Sequence, residues 1–229
     1  MRIDWNAVML TCRLALVATA ALIVIGLPLA HWLATTRRGA RALVEALVAL
    51  PLVLPPTVLG LYLLLLLGPR SPIGRGYALL RGHGLAFSFE GLVVASVLYS
   101  LPFTVQPFTA ALRSVDPALI EASWCLGVSR WATFWRLMVP LAWPGLLAGV
   151  VLTFAHTLGE FGVVLMVGGN VPGETRTVSI AIYDAVQSLD YASAAWTSLG
   201  LVLISFIVLS LMYVLQQRVR VVSQWATRS

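Results

Sequence analysis

No lysine occurs in the 229 residues; all 15 basic residues are arginine. That absence removes whole reaction classes. A chain without lysine cannot complete a G-x-x-x-x-G-K-[ST] phosphate loop, form a Schiff base or use a lysine general base. Any ATP-driven work must draw on a nucleotide bound by another subunit. Charge is scarce too: 10% of residues are charged and 59% apolar, where average soluble domains carry roughly 25% charged residues. So little polar surface cannot coat a water-soluble globule, and the composition points to a bilayer. Cysteine is limited to Cys12 and Cys125, with no metal-type spacing. The three histidines, His31, His83 and His156, lie far apart, and neither H-E-x-x-H nor G-x-S-x-G occurs. No catalytic, cofactor-binding or metal-binding set is expected, which disfavours an intramembrane enzyme. The net charge of +6 comes from arginines scattered over loops, without a basic stripe, so no nucleic-acid partner is expected.

Long apolar runs are abundant. Residues 14–33, 46–67, 91–111, 141–167 and 193–215 each reach the roughly 20 residues that cross hydrocarbon as a helix. The first is expected to be a retained span, because its apolar core exceeds the roughly 7–15 residues of a leader peptide and more membrane follows. Five spans put the termini on opposite sides. One side carries Arg37, Arg38, Arg41, Arg113, Arg130, Arg136, Arg218, Arg220 and Arg228. The other carries Arg2, Arg13, Arg70, Arg75, Arg81 and Arg176. The richer side should be cytoplasmic, with the N-terminus outside and the C-terminus inside. Cys12 and Cys125 then fall on opposite sides. Trp5, Trp32, Trp196 and Trp225 sit near span ends, as interfacial aromatics do. Residues 168–191 open with turn signals and continue into an apolar run, 178–186, too short to span. That run reads as a short or half-inserted outer helix, and counting it gives six spans. About a dozen residues follow the last span, too few for a regulatory domain.

The second run contains Pro51, Pro55 and Pro56, and the third Pro102 and Pro107. Proline removes backbone donors and bends or breaks a helix. Gly145, Gly149, Gly159 and Gly162 lighten the fourth run and permit close helix approach. Plain helix packing and a pathway lined by broken helices both fit this pattern. Glu160 is the one charged residue within the five runs, and His156 lies four residues before it, on the same face of a continuous helix. The pair reads either as a hydrogen-bonded lock between helices or as a gate. A buried carboxylate would repel an anionic substrate.

The segment 113–140 between the third and fourth spans has clear local grammar. Asp116 is a natural N-cap and Pro117 fits the first helical position. A helix over 117–126 should end at Gly127 in the left-handed conformation. Ser129 should cap a second helix over 130–138, stopping before Pro140, with Trp131, Phe134, Trp135 and Met138 forming one apolar face. Such a helix–turn–helix fits an amphipathic hairpin lying on headgroups or a docking element for a cytoplasmic partner.

Glu121-Ala122-Ser123-x-x-x-Gly127, then nine residues, then Leu137-x-Val139-Pro140 resembles the E-A-A-x-x-x-G … I-x-L-P loop of importer-type ABC permeases. The departures are Ser123 for the second alanine, Leu137 for isoleucine and Val139 for leucine. The proline-rich run 50–56 and Leu158-Gly159-Glu160-Phe161-Gly162 resemble the sulfate and molybdate permease branch, and the run 170–177 looks like its molybdate members. The resemblance covers nearly the whole chain. It implies a single all-α membrane domain over 1–229, of the type I ABC importer permease kind, in a bacterial inner membrane. The implied partners are a second copy, two ATPase subunits that bind ATP and Mg, and an extracytoplasmic oxyanion-binding protein. It also implies an ATPase joint at Glu121, Ala122, Ser123, Gly127, Arg130 and Pro140, with Glu121 anchoring the hairpin through polar contacts. Pro51, Pro55, Pro56, His156, Gly159, Glu160 and Gly162 become gate or pathway candidates. Pro172, Gly173, Glu174 and Arg176 become contacts to the binding protein, unless Glu174 and Arg176 simply pair in a solvated turn. A molybdate (or tungstate) importer is the favoured reading. A sulfate or thiosulfate permease is the alternative, and an ion-coupled transporter would need more intramembrane charge.

Overall fold

The computed structural model describes residues 4–36 and 39–226, excluding the side chains of 212 and 215–226. Arg2, Arg37, Arg38 and Arg228 of the charge count lie outside the described residues, as do the side chains of Arg218, Arg220 and Trp225. Among the described residues the secondary structure is entirely helical.

Helix α1 (Trp5–Thr35) starts well before the apolar run that announces it, because Asp4 caps it by accepting from the Ala7 N–H at 3.1 Å. Arg13 therefore lies inside a helix, not in a loop. Its guanidinium sits 4.4 Å from the Phe89 ring centroid, which replaces part of its hydration.

The run 46–67 is not one continuous span. It forms α2 (Ala40–Val53) and α3 (Pro56–Leu67), bent by 110° at the junction. Leu54 and Pro55 each precede a proline, whose ring disfavours helical backbone in the residue before it. Both take ψ 135 instead. Pro51 is accommodated within the last turn of α2. The short α4 (Pro72–Arg81) was not anticipated. Ser71 caps it and Gly82 ends it in the left-handed region. Helix α5 (Phe89–Arg113) follows, then α6 (Pro117–Cys125) and α7 (Arg130–Thr133). A π turn, Phe134–Met138, joins α7 to α8 (Val139–Leu158).

The run 141–167 is divided as well. Helix α8 stops at Leu158, and α9 (Gly162–Gly168) begins after a break at 159–161. Helix α10 (Val178–Gln187) is the short helix expected from the run 178–186, and α11 (Tyr191–Ala226) follows it. Among the described residues four helices are long and apolar enough to cross a membrane: Trp5–Thr35, Phe89–Arg113, Arg130–Leu158 and Tyr191–Leu211. The count of five holds when α2 and α3 form one broken span.

Helices α1, α5 and α8 pack together at the centre. At the hairpin end Leu33, Phe108, Leu112, Phe134, Met138 and Leu146 form one apolar cluster. At the opposite end Leu14, Leu92, Val164 and Ile180 form another. Arg113 fastens the hairpin end, donating to the Leu33 carbonyl at 3.0 Å and to Glu45 Oε1 at 2.7 Å, where Arg41 Nε also donates at 3.1 Å.

Candidate functional site

The hairpin forms largely as its caps dictate. Asp116 accepts from the Ala118 N–H at 2.9 Å, and Ser129 from the Ala132 N–H at 3.3 Å. Helix α6 ends at Cys125, with Gly127 at φ +79. The Gly127 N–H donates to the Trp124 carbonyl (2.9 Å) and the Val128 N–H to the Ser123 carbonyl (3.0 Å). This is the paired closure that a left-handed C-terminal glycine permits.

The second arm departs from expectation. It does not stop before Pro140 but runs on into α8 through the π turn. Pro140 has no N–H for the carbonyl one turn back, and the Val139 N–H reaches back to Phe134 O across the wider turn. The expected single apolar face is split as a result. Phe134 and Met138 are buried, whereas Trp131 is 72% exposed and Trp135 is also exposed.

Helix α6 buries none of its residues. Glu121 and Ala122 are exposed, and so are Leu119, Trp124, Leu126 and Val128, with Leu126 at 83%. The two arms are fastened by Ser123, not by the expected Glu121. Ser123 Oγ donates to the Ile120 carbonyl at 2.7 Å, so across its 2.9 Å contact with Thr133 Oγ1 it accepts. Arg130 lies over the Trp124 ring, 5.3 Å from its centroid, and Pro140 is exposed in the first turn of α8.

A second constellation lies along the α5–α8 seam. Thr104 meets Thr153 at 2.7 Å, and Ser100 meets Thr157 at 3.1 Å and His156 Nδ1 at 3.0 Å. Ser96 is the next position along α5, and Glu160 lies just beyond the end of α8. Thr157 gives its proton to the Thr153 carbonyl (3.0 Å), so Ser100 must donate to Thr157. Ser100 then has no proton left for His156, and His156 Nδ1 is the donor. His156 stacks on Phe103 with centroids 3.8 Å apart. His156 and Glu160 do not share a helix face, because α8 ends between them. Glu160 is only 4% exposed, and neither of its oxygens has a hydrogen-bond partner among the described residues.

The structure brings two of the proline and glycine motifs together. A Cβ on Gly162 would stand 2.8 Å from Pro56 Cβ, and one on Gly60 would stand 2.6 Å from Met166 Cβ. The helices that follow the two breaks, α3 and α9, therefore pack backbone to backbone. Pro51 and Pro55 are not part of that contact. Pro51 is half-buried in α2, and Pro55 and Gly159 are exposed at their breaks.

In the loop between α9 and α10, Pro172, Gly173 and Glu174 are exposed. Arg176 does not pair with Glu174; it bonds Asp184 and lies 3.8 Å from Asp4. Thr175, fully buried, donates to the Gly168 carbonyl at 2.6 Å and accepts from the Val171 N–H at 3.1 Å. Both residues thus fasten the loop. Cys12 and Cys125 are free.

An all-helical membrane bundle with broken spans and a projecting hairpin is the architecture of an importer permease. The chain belongs to the binding-protein-dependent transport system inner membrane component family, whose model matches residues 22–221. It is 50% identical over 210 residues to the molybdenum transport system permease protein ModB of Azotobacter vinelandii, covering 92% of this chain and 93% of that one. The Escherichia coli K12 protein of the same name is 35% identical over 225 residues, covering 98% and 94%. A probable sulfate transport system permease protein of Chlorella vulgaris is 31% identical, covering 92% and 79%. The fold is shared with a bacterial alginate ABC transporter solved with its pentasaccharide-bound periplasmic protein (TM-score 0.77, 18% identity, covering 96% of this chain and 80% of that one). It is shared also with the inward-facing methionine ABC transporter (TM-score 0.74, 20% identity, covering 95% and 96%). The relatives are permease subunits by name, and this chain is an inner membrane protein.

Proposed function

We propose that this chain is the membrane-spanning subunit of an ATP-driven importer of molybdate. Two copies form the pathway, two ATPase subunits dock on the cytoplasmic hairpins, and an extracytoplasmic binding protein delivers the anion. The observation that carries the reading is helix α6. A nine-residue helix with no fully buried residue, seated on the core by half-buried Ile120, tied to the other arm by Ser123–Thr133 and closed at Gly127, presents an exposed, partly apolar face suited to a partner. In a chain that holds no lysine, the nucleotide has to be on what grips it. The exposed Glu121, Ala122 and Leu126 are the gripping surface, with Arg130 and Pro140 at its edge. The hairpin then faces the cytoplasm, and the N-terminus lies outside. Substrate class follows the molybdenum permeases, which are more similar to this chain than the sulfate permease is.

Alternating access needs parts that move as units. The seam Thr104–Thr153, Ser100–Thr157 makes α5 and α8 one unit that carries hairpin motion inward. The junction of α3 and α9 lies at its far end and forms the gate, with Glu160 and His156 beside it. Uptake of radiolabelled molybdate by proteoliposomes containing the permease, its ATPase and its binding protein tests the reading. Molybdate should enter only with ATP inside and binding protein outside. Strong competition by sulfate would assign the chain to sulfate import instead, and ATP-independent uptake would overturn the ABC assignment.

A further inference from the structure

Two grooves meet between α1 and the hairpin. One, about 500 Å³, is walled by Ile23, Val24, Leu27 and Pro28 of α1 and by Trp131 and Trp135. The other, about 480 Å³, holds Thr36, Arg41 and Glu121. His31 and Arg130 line both, so the chambers adjoin, the one along α1 apolar and the one at the hairpin polar. Ile23 to His31 rises about 12 Å along the helix and His31 to Thr36 a further 8 Å or so. A bilayer leaflet has the same order and similar dimensions, roughly 15 Å of hydrocarbon and then roughly 5–8 Å of headgroup.

We infer that this two-chamber groove binds one anionic phospholipid, its acyl chain against α1 and its phosphate at Arg130. Arg41 already donates to Glu45 at 3.1 Å, whereas Arg130 has a tryptophan ring beside it, which leaves its N–H fork free for phosphate oxygens. Trp131 and Trp135, exposed along the apolar chamber, stand where indole rings meet headgroups. Basic pockets between helices at a membrane face select anionic headgroups in this way. The binding does not depend on which ion is transported.

The test uses the full chain in phosphatidylcholine nanodiscs containing brominated phosphatidylglycerol or brominated phosphatidylcholine, whose bromines quench nearby indoles. The signal of Trp131 and Trp135 is the difference between the native chain and the W131F/W135F variant. Brominated phosphatidylglycerol should quench that signal at about fivefold lower mole fraction, the preference that one arginine–anion contact supplies. R130Q should abolish the preference while quenching by brominated phosphatidylcholine is unchanged. Equal quenching by both lipids in the native chain would overturn the proposal. So would absence of quenching by either, which would mean that a protein covers the groove. A third overturning result is an R130Q variant that keeps the lipid preference, because Arg130 would then not hold the phosphate.

Discussion

Ser123 and Thr133 lie ten residues apart, and their hydroxyls join the two arms of the hairpin. Thr133 is 2% exposed, so Ser123→Ala leaves a buried hydroxyl without its acceptor, a cost of about 1–3 kcal/mol. Less molybdate should enter per ATP hydrolysed, while Ser123→Thr keeps coupling near native; the ratio of uptake to phosphate release measures both. Wild-type coupling in Ser123→Ala would show that the bond between the arms is dispensable. Gly127 is the other sensitive position, because φ +79 is a region that a β-branched residue does not enter without strain. Gly127→Val should insert normally and lose ATP-coupled uptake, as should Glu121→Arg; native uptake rates in both would remove the hairpin from the coupling path. Capping residues and the terminal glycine were legible in the sequence because they act within a few residues. Ser123 looked like a mild replacement for alanine, since its partner is reached only when the arms fold together. His156 was legible as a buried histidine but not as a donor. Only the chain Ser100–Thr157–Thr153 fixes its Nδ1–H form, which ¹⁵N NMR of labelled histidine should show directly.

The breaks are where helices and hydropathy part company. Three prolines in the second run announced a bend, and the 110° angle follows from two successive pre-proline residues. The break at 159–161 gave no such warning, because Gly-Glu-Phe-Gly sits inside an apolar stretch and a hydropathy sum does not register helix continuity. The converse error is the join at Pro140: proline reads as a stop, yet a π turn carries the helix through it. Helix α4 carries legible caps, Ser71 before Pro72 and Gly82 after Arg81, but a search for long apolar runs passes over a helix this short and polar. The contact between α3 and α9 is the consequence that matters for gating. Gly162→Val places a branched side chain against the Pro56 ring, which cannot rotate away. Separating the helices should cost about 1–3 kcal/mol. The expected phenotype is a permease that still binds its ATPase but takes up molybdate poorly or leaks it without ATP. Unchanged, fully ATP-dependent uptake would show that the α3–α9 junction is not the gate.

With a cysteine near each end of α1, the whole molecule carries its own topology probes. Cys12 lies in the third turn of α1, one residue after Thr11, whose hydroxyl accepts from the Val178 N–H of α10 at 2.8 Å. Cys125 is the last residue of α6, exposed, beyond the other end of α1. Along α1 alone the two ends are about 35 Å apart from Cys12 to Thr35, more than the roughly 30 Å of bilayer hydrocarbon. The native sequence contains no other cysteine, so no engineering is needed. A membrane-impermeant maleimide should modify Cys125 in inside-out vesicles and leave it untouched in right-side-out cells. Adding the ATPase subunit to stripped inside-out vesicles should then slow that modification at least about tenfold, because a docked surface excludes solvent at its core. Modification of Cys125 from outside would reverse the orientation that the arginine distribution implies. Accessible Cys125 with no protection by the ATPase would keep the orientation but place the docking surface elsewhere. The two results are separable because the first depends only on which way the bundle sits, and the second only on what α6 touches.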